Sequence, residues 1–186
     1  MPEFDPELDE LEAKKRALAQ FNPDNVMPHI SMIESSGGKF RNHAMNEQGV
    51  QAGTKSVSSY GLMPNTIYEF TKRNKEFQQT PQGQAVMQSQ GNPEQINSIT
   101  QDIANDDQIM HSLLQEQDNR LRPHYEGYKV DPEVANVLAN RRGVSGAIKS
   151  MKDNSYLSDP YVQKYLQLKK LKKLKKLKTP VKDPLG

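Results

Sequence analysis

No cysteine occurs in the chain, so neither a disulfide nor a thiolate metal site can form, and the redox compartment stays open. No apolar stretch approaches the about 18 residues that a membrane-spanning helix requires, which excludes an ordinary transmembrane segment. The acidic opening MPEFDPELDELEAKK lacks an apolar h-region, so no cleavable secretory signal is expected. Histidines are few. His29, His43, His111 and His124 show no H-x-x-x-H or similar spacing, so neither a zinc site nor any other metal or cofactor is expected. Hydrophobic residues make up only 34% of the 186, which implies a compact core with the chain ends outside it. Strand-like alternation is missing as well. What remains is an all-α chain.

Positive charge is unevenly placed. Residues 164–182 hold nine lysines and no acid, while the whole chain carries a net charge of only +2, so the rest is net negative. In YLQLKKLKKLKKLK (165–178) the leucines recur every third residue, stepping back by roughly 60° each on a helix and spreading over about half its circumference. That is neither a fixed apolar face nor a sustained heptad. The candidate partners of this polycation are an anionic membrane, a cell-wall polymer, nucleic acid or other proteins of the same assembly.

Helix signals punctuate the rest. Residues 6–20 place Pro6 and acids early and basic residues late, the order a helix dipole favours. The break NPDN at 22–25 offers Asp24 or Asn25 as the cap of a second helix over about 25–35. Residues 36–60, rich in Gly and Ser and without a clear period, read as a long loop. MPNTIYEFTKRN (63–74) restarts a helix at Pro64, and TPQGQ breaks the chain again. Two helices follow at 93–104 and 106–122, then RPHYEGYKVDP as a connector. The segment 132–151 reads as helix, corner at Gly143 and short helix, and a last helix runs from Pro160 to Thr179.

The stretch MIESSGGKF (32–40) puts a carboxylate in an unexpected place. With Val26 at 0°, Ile30 lies near 40°, Ile33 near 340° and Met27 near 100°, and Glu34 falls at about 80°, within the apolar arc. A carboxyl there is partly desolvated, which raises its pKa and suits it to hold a proton as a general acid. Gly37 and Gly38 let the chain leave the helix in left-handed conformations. The other reading is that Glu34 ends the helix and turns to solvent.

ESSGGKF together with SYGLMP (59–64) and LANRRGVSGAI (138–148) resembles, in that order, three signatures of the soluble lytic transglycosylases. These are lysozyme-like enzymes that cleave the peptidoglycan glycan strand, and the wording MIESSGGK…YGLMPNT is most similar to the transglycosylase domains carried in the virions of tailed phages. The resemblance covers about residues 24–150. It implies a lysozyme-like helical domain over 23–157, flanked by an N-terminal helical extension (1–22) and a basic helical tail (158–186). It further implies Glu34 as the single catalytic acid/base and Ser35 as its orienting neighbour. Gly61, Leu62 and Met63 match the turn lining the glycan groove, with Tyr60 beside them, and Asn140 matches the asparagine of the third signature. The implied setting is a virion protein, acting on the periplasmic wall during genome entry.

Three departures stand beside it. Pro64 replaces the usual glutamine after Met, Ala139 stands where the family has tyrosine, and the span from Glu34 to Gly61 is longer than usual. Tyr60, Tyr125 and Tyr128 are the candidates to supply the missing hydroxyl. Tyr60, Tyr68 and Phe70 can stack on sugar rings or fill the core. Most glycosidases use two carboxylates. The resembled family uses one, and between Glu34 and Gly61 the chain offers only Glu47, which reads as a solvated loop acid. The alternatives are a hydrolytic muramidase, or a non-catalytic virion protein with a degenerate glycan-binding domain.

Overall fold

The computed structural model of the chain describes residues 20–39 and 55–178. These form seven α-helices: α1 (Pro23–Ser35), α2 (Pro64–Arg73), α3 (Pro81–Gln88), α4 (Pro93–Gln101), α5 (Ile103–Tyr128), α6 (Pro132–Lys152) and α7 (Pro160–Lys178). Short 3-10 turns at Phe77–Gln79 and Ser155–Ser158 join two of them, and no strand occurs among the described residues. The first expected helix, over 6–20, lies outside the described residues, as does Glu47.

Six of these helices begin with proline, whose missing N–H falls where a helix has no acceptor for it. The preceding residue supplies the cap in most of them. Asn22 accepts from the Asp24 amide at 3.0 Å, Thr80 from Gly83 at 3.0 Å, Asn92 from Gln95 at 3.0 Å, and Asp131 from Glu133 at 2.9 Å. The cap of α1 is therefore Asn22, two residues before Asp24 and three before Asn25, the caps expected there. TPQGQ, expected as a break, is the start of α3. Gly83 is required in that first turn because a Cβ would come within 2.0 Å of the Phe77 carbonyl oxygen.

The long α5 is the centre of the molecule. Ile109, Met110, Leu113, Leu114 and Leu121 recur at helical spacing and are buried. Helices α3 and α4 pack on one part of it, and α1 and α6 on another, with α7 closing over α1 and α6. Of the expected connector from Arg122 to Pro132, residues 122–128 are instead the last two turns of α5, with Pro123 inside the helix, and only 129–131 connect it to α6. Tertiary contacts override the proline: Tyr125 is buried and its hydroxyl donates to Asp118 at 2.9 Å. The expected corner in α6 is present, since Gly143 has φ 73° and ψ 167° within an otherwise helical run.

The boundary expected near residue 158 falls inside packed structure. Tyr161, Val162 and Tyr165 all belong to the core, with Tyr165 fully buried. The Tyr165 hydroxyl donates to Glu133, and Lys169 reaches the same carboxylate at 2.8 Å. Side chains from Lys169 to Lys178 are all exposed. The tail thus separates from the folded body near Lys169, not at the start of its helix. No helix among the described residues is long and apolar enough to cross a membrane.

Candidate functional site

Two local structures bring Glu34 to its place. The first is the end of α1. Ser36 takes a left-handed conformation (φ 52°, ψ 44°), and its amide donates to the Met32 carbonyl at 3.2 Å while the Gly37 amide reaches Ser31 at 3.1 Å. Gly37 and Gly38 continue with φ of 74° and 91°, so the chain turns away directly after the acid.

The second is the turn 56–62, which the N-terminus of α5 holds rigidly. Asp106 accepts from the Ser58 hydroxyl at 2.6 Å, the Ser59 hydroxyl at 2.7 Å and the Ser59 amide at 3.0 Å. The Tyr60 hydroxyl donates to Asp107 at 2.5 Å, and Val57 and Leu62 close the turn through a 2.9 Å backbone bond. Ser35 fastens the two structures together. Its hydroxyl lies 3.1 Å from the Ser31 carbonyl and 2.5 Å from that of Ser59, and it accepts from the Gly38 amide at 2.9 Å.

Gly61 sits at the junction with φ 72°, and a Cβ built on it would lie 2.6 Å from Glu34 Oε2 and 2.9 Å from its carboxyl carbon. Only glycine allows both that backbone conformation and that approach. Glu34, half-buried, is thereby seated against the backbone of the turn rather than swinging in solvent.

A cleft of about 730 Å³ opens on this carboxylate, walled by Ile33 from α1, Arg141 and Arg142 from α6, and Asp159, Tyr161 and Lys164 at the start of α7. Tyr161 is 8% exposed. Burial first, then the charge of Glu34 and hydrogen bonding to it, push the Tyr161 phenol well above its ordinary value, with Asn140 and Arg141 opposing. Asn140 Nδ2 donates to the Tyr161 hydroxyl at 3.2 Å. Beyond Asn140 lies a second hollow of about 300 Å³, lined by Leu62, Thr66, Ala139, Asn140 and Gly143. The Asn140–Tyr161 pair thus stands between two hollows.

Asp159 is the other acid of the cleft, and its capacity is used. It is 3% exposed, takes the Arg142 guanidinium at 2.5 Å and caps α7 through the amides of Tyr161 (2.8 Å) and Val162 (3.2 Å). Burial alone would lift its carboxyl, but Arg142 and those amides hold it below the ordinary aspartate value.

Of the residues singled out from the sequence, Glu34, Gly61, Leu62 and Asn140 come together here. Ser35 (2% exposed), Tyr60 (7%) and Met63 (5%) are turned inward, so they position the site and do not face its opening. Pro64 is the first residue of α2, a place that needs no amide donor. The hydroxyl beside Glu34 does not come from the tyrosines expected to supply it: those of Tyr60 and Tyr125 are bonded to Asp107 and Asp118, and Tyr128 is exposed at the end of α5. Tyr161 supplies it. The Asp159-Pro160 pair announces a helix start and places Tyr161 in its first turn, but no local signal aims that turn at α1. Phe70 is fully buried against Phe77, and Tyr68 packs over Gly91, so both are packing residues.

A further depression of about 470 Å³ lies along α5 near Asn74, Ser112, Glu116 and Asp118. Glu116 and Asp118 on its wall are each paired, with Arg73 and Arg122 respectively, both at 2.7 Å, and Glu76 lines it as well. No cluster of three or more His, Asp or Glu side chains among the described residues could hold a metal ion. Comparison of the chain with family models, curated proteins and solved structures found no match.

Proposed function

We propose that the protein is a peptidoglycan lytic transglycosylase of lysozyme-like fold, with Glu34 as its only acid/base. The observation that carries this reading is the single available carboxylate that the described residues bring to this cleft: Glu34 faces it, fixed against Gly61 and accompanied by Tyr161 and Asn140, while Asp159 is committed to Arg142 and the α7 cap.

Glu34 gives its proton to the glycosidic oxygen as the bond between that oxygen and C1 of N-acetylmuramic acid breaks. The positive charge developing at C1 is then quenched by the sugar's own C6 hydroxyl, whose proton passes to the Glu34 carboxylate. A 1,6-anhydro ring closes, N-acetylglucosamine leaves, and Glu34 is protonated again. No water is consumed, so no second carboxylate is needed to activate one. Tyr161 and Asn140 hold the carboxyl group in line with the bond, and the two hollows on either side of them accommodate the sugars before and after it. The setting we propose is a phage particle whose enzyme opens the wall locally during genome entry, with the lysine-rich end of α7 holding an anionic surface.

One observation favours a second reading. Asp159 lines the same cleft, and a hydrolytic muramidase would release it from Arg142 to activate water. Mass spectrometry of digested peptidoglycan separates the readings. Anhydro-muropeptides are expected. Reducing muropeptides would establish the hydrolase, and no release at all would leave a glycan-binding domain without catalysis.

A further inference from the structure

We propose that Arg141 and Lys164 form an anion subsite beside Glu34, which binds a carboxylate carried by the lactyl arm of the glycan. The inference rests on the lytic reading above and names what its cleft selects.

The charges of the cleft do not balance within it. Three cations and two acids line it, and one pair, Arg142 with Asp159, is closed at 2.5 Å. Arg141 and Lys164 have no ion-pair partner among the described residues, and neither reaches Glu34 as an ion pair. They come from different helices, α6 and α7, yet both border the same opening. Two unpaired cations facing one space are complementary to an anion there, whereas sugar hydroxyls and acetamides are equally well served by neutral donors.

A glycan built only of N-acetylglucosamine carries no such anion. N-acetylmuramic acid does: its C3 oxygen bears a lactyl group that ends either in a free carboxylate or in a peptide with carboxylates of its own. The Arg141 guanidinium offers a planar fork suited to a carboxylate, and Lys164 a mobile point charge that can follow it. The subsite therefore distinguishes the muramic sugar from its uncharged neighbour and sets the register of the strand over Glu34.

The test measures binding by the Glu34→Gln protein, which holds glycan without turnover, with and without the additional pair Arg141→Gln and Lys164→Gln. Three short soluble ligands of equal length are compared: a strand stripped of peptides by an amidase, the same strand with its peptides, and a chitooligosaccharide. The paired replacement is expected to weaken one or both carboxylate-bearing strands about tenfold, the scale of a charge-assisted hydrogen bond, and to leave the chitooligosaccharide unchanged. Which strand responds identifies the carboxylate. Both side chains are exposed, so an unchanged melting temperature accompanies the effect, and the single reversal Lys164→Glu should deepen the loss. Equal losses on all three ligands, or no loss on any, overturn the subsite while leaving the lytic reading intact. Absence of binding to every glycan before the replacements takes down both.

Discussion

Glu34 and Asp118 are both acids on helices, and both face inward, but the protein treats them oppositely. Asp118 is 2% exposed and fully engaged: it accepts from Tyr125 at 2.9 Å, from Asn136 at 2.9 Å and from Arg122 at 2.7 Å. Donors from two helices, its own α5 and the neighbouring α6, meet on it and take up its oxygens. Glu34 is half-buried, forms no ion pair among the described residues, and borders a cleft with a tyrosine of raised pKa at its side. A saturated carboxylate stabilises a fold. One held in position but left with free capacity can exchange a proton.

Exchanging the two acids for neutral residues breaks the comparison most severely. Glu34→Gln should lower glycan cleavage by about 1,000-fold, the contribution of a positioned acid/base, with the melting temperature nearly unchanged. Asp118→Ala should do the reverse. It leaves Tyr125 and Asn136 with unpaired buried donors and should cost about 3 kcal/mol in chemical denaturation, while protein still folded retains turnover. Retained cleavage by Glu34→Gln would show that the acid lies elsewhere.

The close approach at Gly61 sharpens the same contrast, because there position and stability are coupled. Gly61→Ala should cost about 1–2 kcal/mol for the left-handed conformation alone. The added methyl also pushes the Glu34 carboxyl aside, and a misplacement near 1 Å can lower turnover about a hundredfold. Denaturation and kinetics on one sample read both effects. A loss of stability without a loss of rate would mean that Glu34 needs no fixed seat.

The junction of α1, α6 and α7 shows a smaller, pH-dependent version. His29 is 8% exposed and packs edge-on against Tyr165, with ring centroids 5.5 Å apart. Burial, then the charge of Lys172, lower its pKa, with Glu133 opposing and Lys169 assisting. The unfolded chain takes up this proton near its ordinary value of 6.5 while the folded one resists it, so stability should fall as pH drops below 6.5. Glu133 adds a second loss at lower pH. Burial would raise its pKa, but hydrogen bonds from Lys169 and Tyr165 and the Lys169 charge bring it below 4.5, so its contribution is present above that value and lost as pH falls through the folded pKa. Melting temperatures across pH should show both declines, and His29→Gln should flatten only the upper one.

The smallest effect belongs to the exposed end of α7. Removing residues 170–186 should leave melting temperature and cleavage of short soluble glycans unchanged, while attachment to whole sacculi at low salt weakens. Cutting instead at residue 158 removes Tyr161 and Tyr165 and should unfold the protein. Binding to sacculi that survives the shorter truncation would remove the tail from the attachment surface.

Much of the fold is written locally. Asn22-Pro23, Thr80-Pro81, Asn92-Pro93, Asp131-Pro132 and Asp159-Pro160 each join a capping side chain to a residue preset for the first helical turn, and helices start at all five. Caps and proline act within four residues, so such starts are legible without tertiary context. Gly143, Gly37 and Gly38 are legible for the same reason, and so is the inward face of Glu34, which follows from helical geometry.

What tertiary structure decided is what connects these pieces. Pro123 and TPQGQ read as breaks because local preference says so. Burial of Tyr125 against Asp118 and the seating of Gly83 on Phe77 overrule it. The lysine repeat of α7 hides that its first turns are core, because Tyr161 and Tyr165 find their partners on α1 and α6, far away in the chain. The meeting of Glu34 with Tyr161, Arg141 and Lys164 leaves no periodicity or spacing to read. Sequence patterns record interactions along a helix, whereas these side chains meet only because α6 and α7 pack against α1.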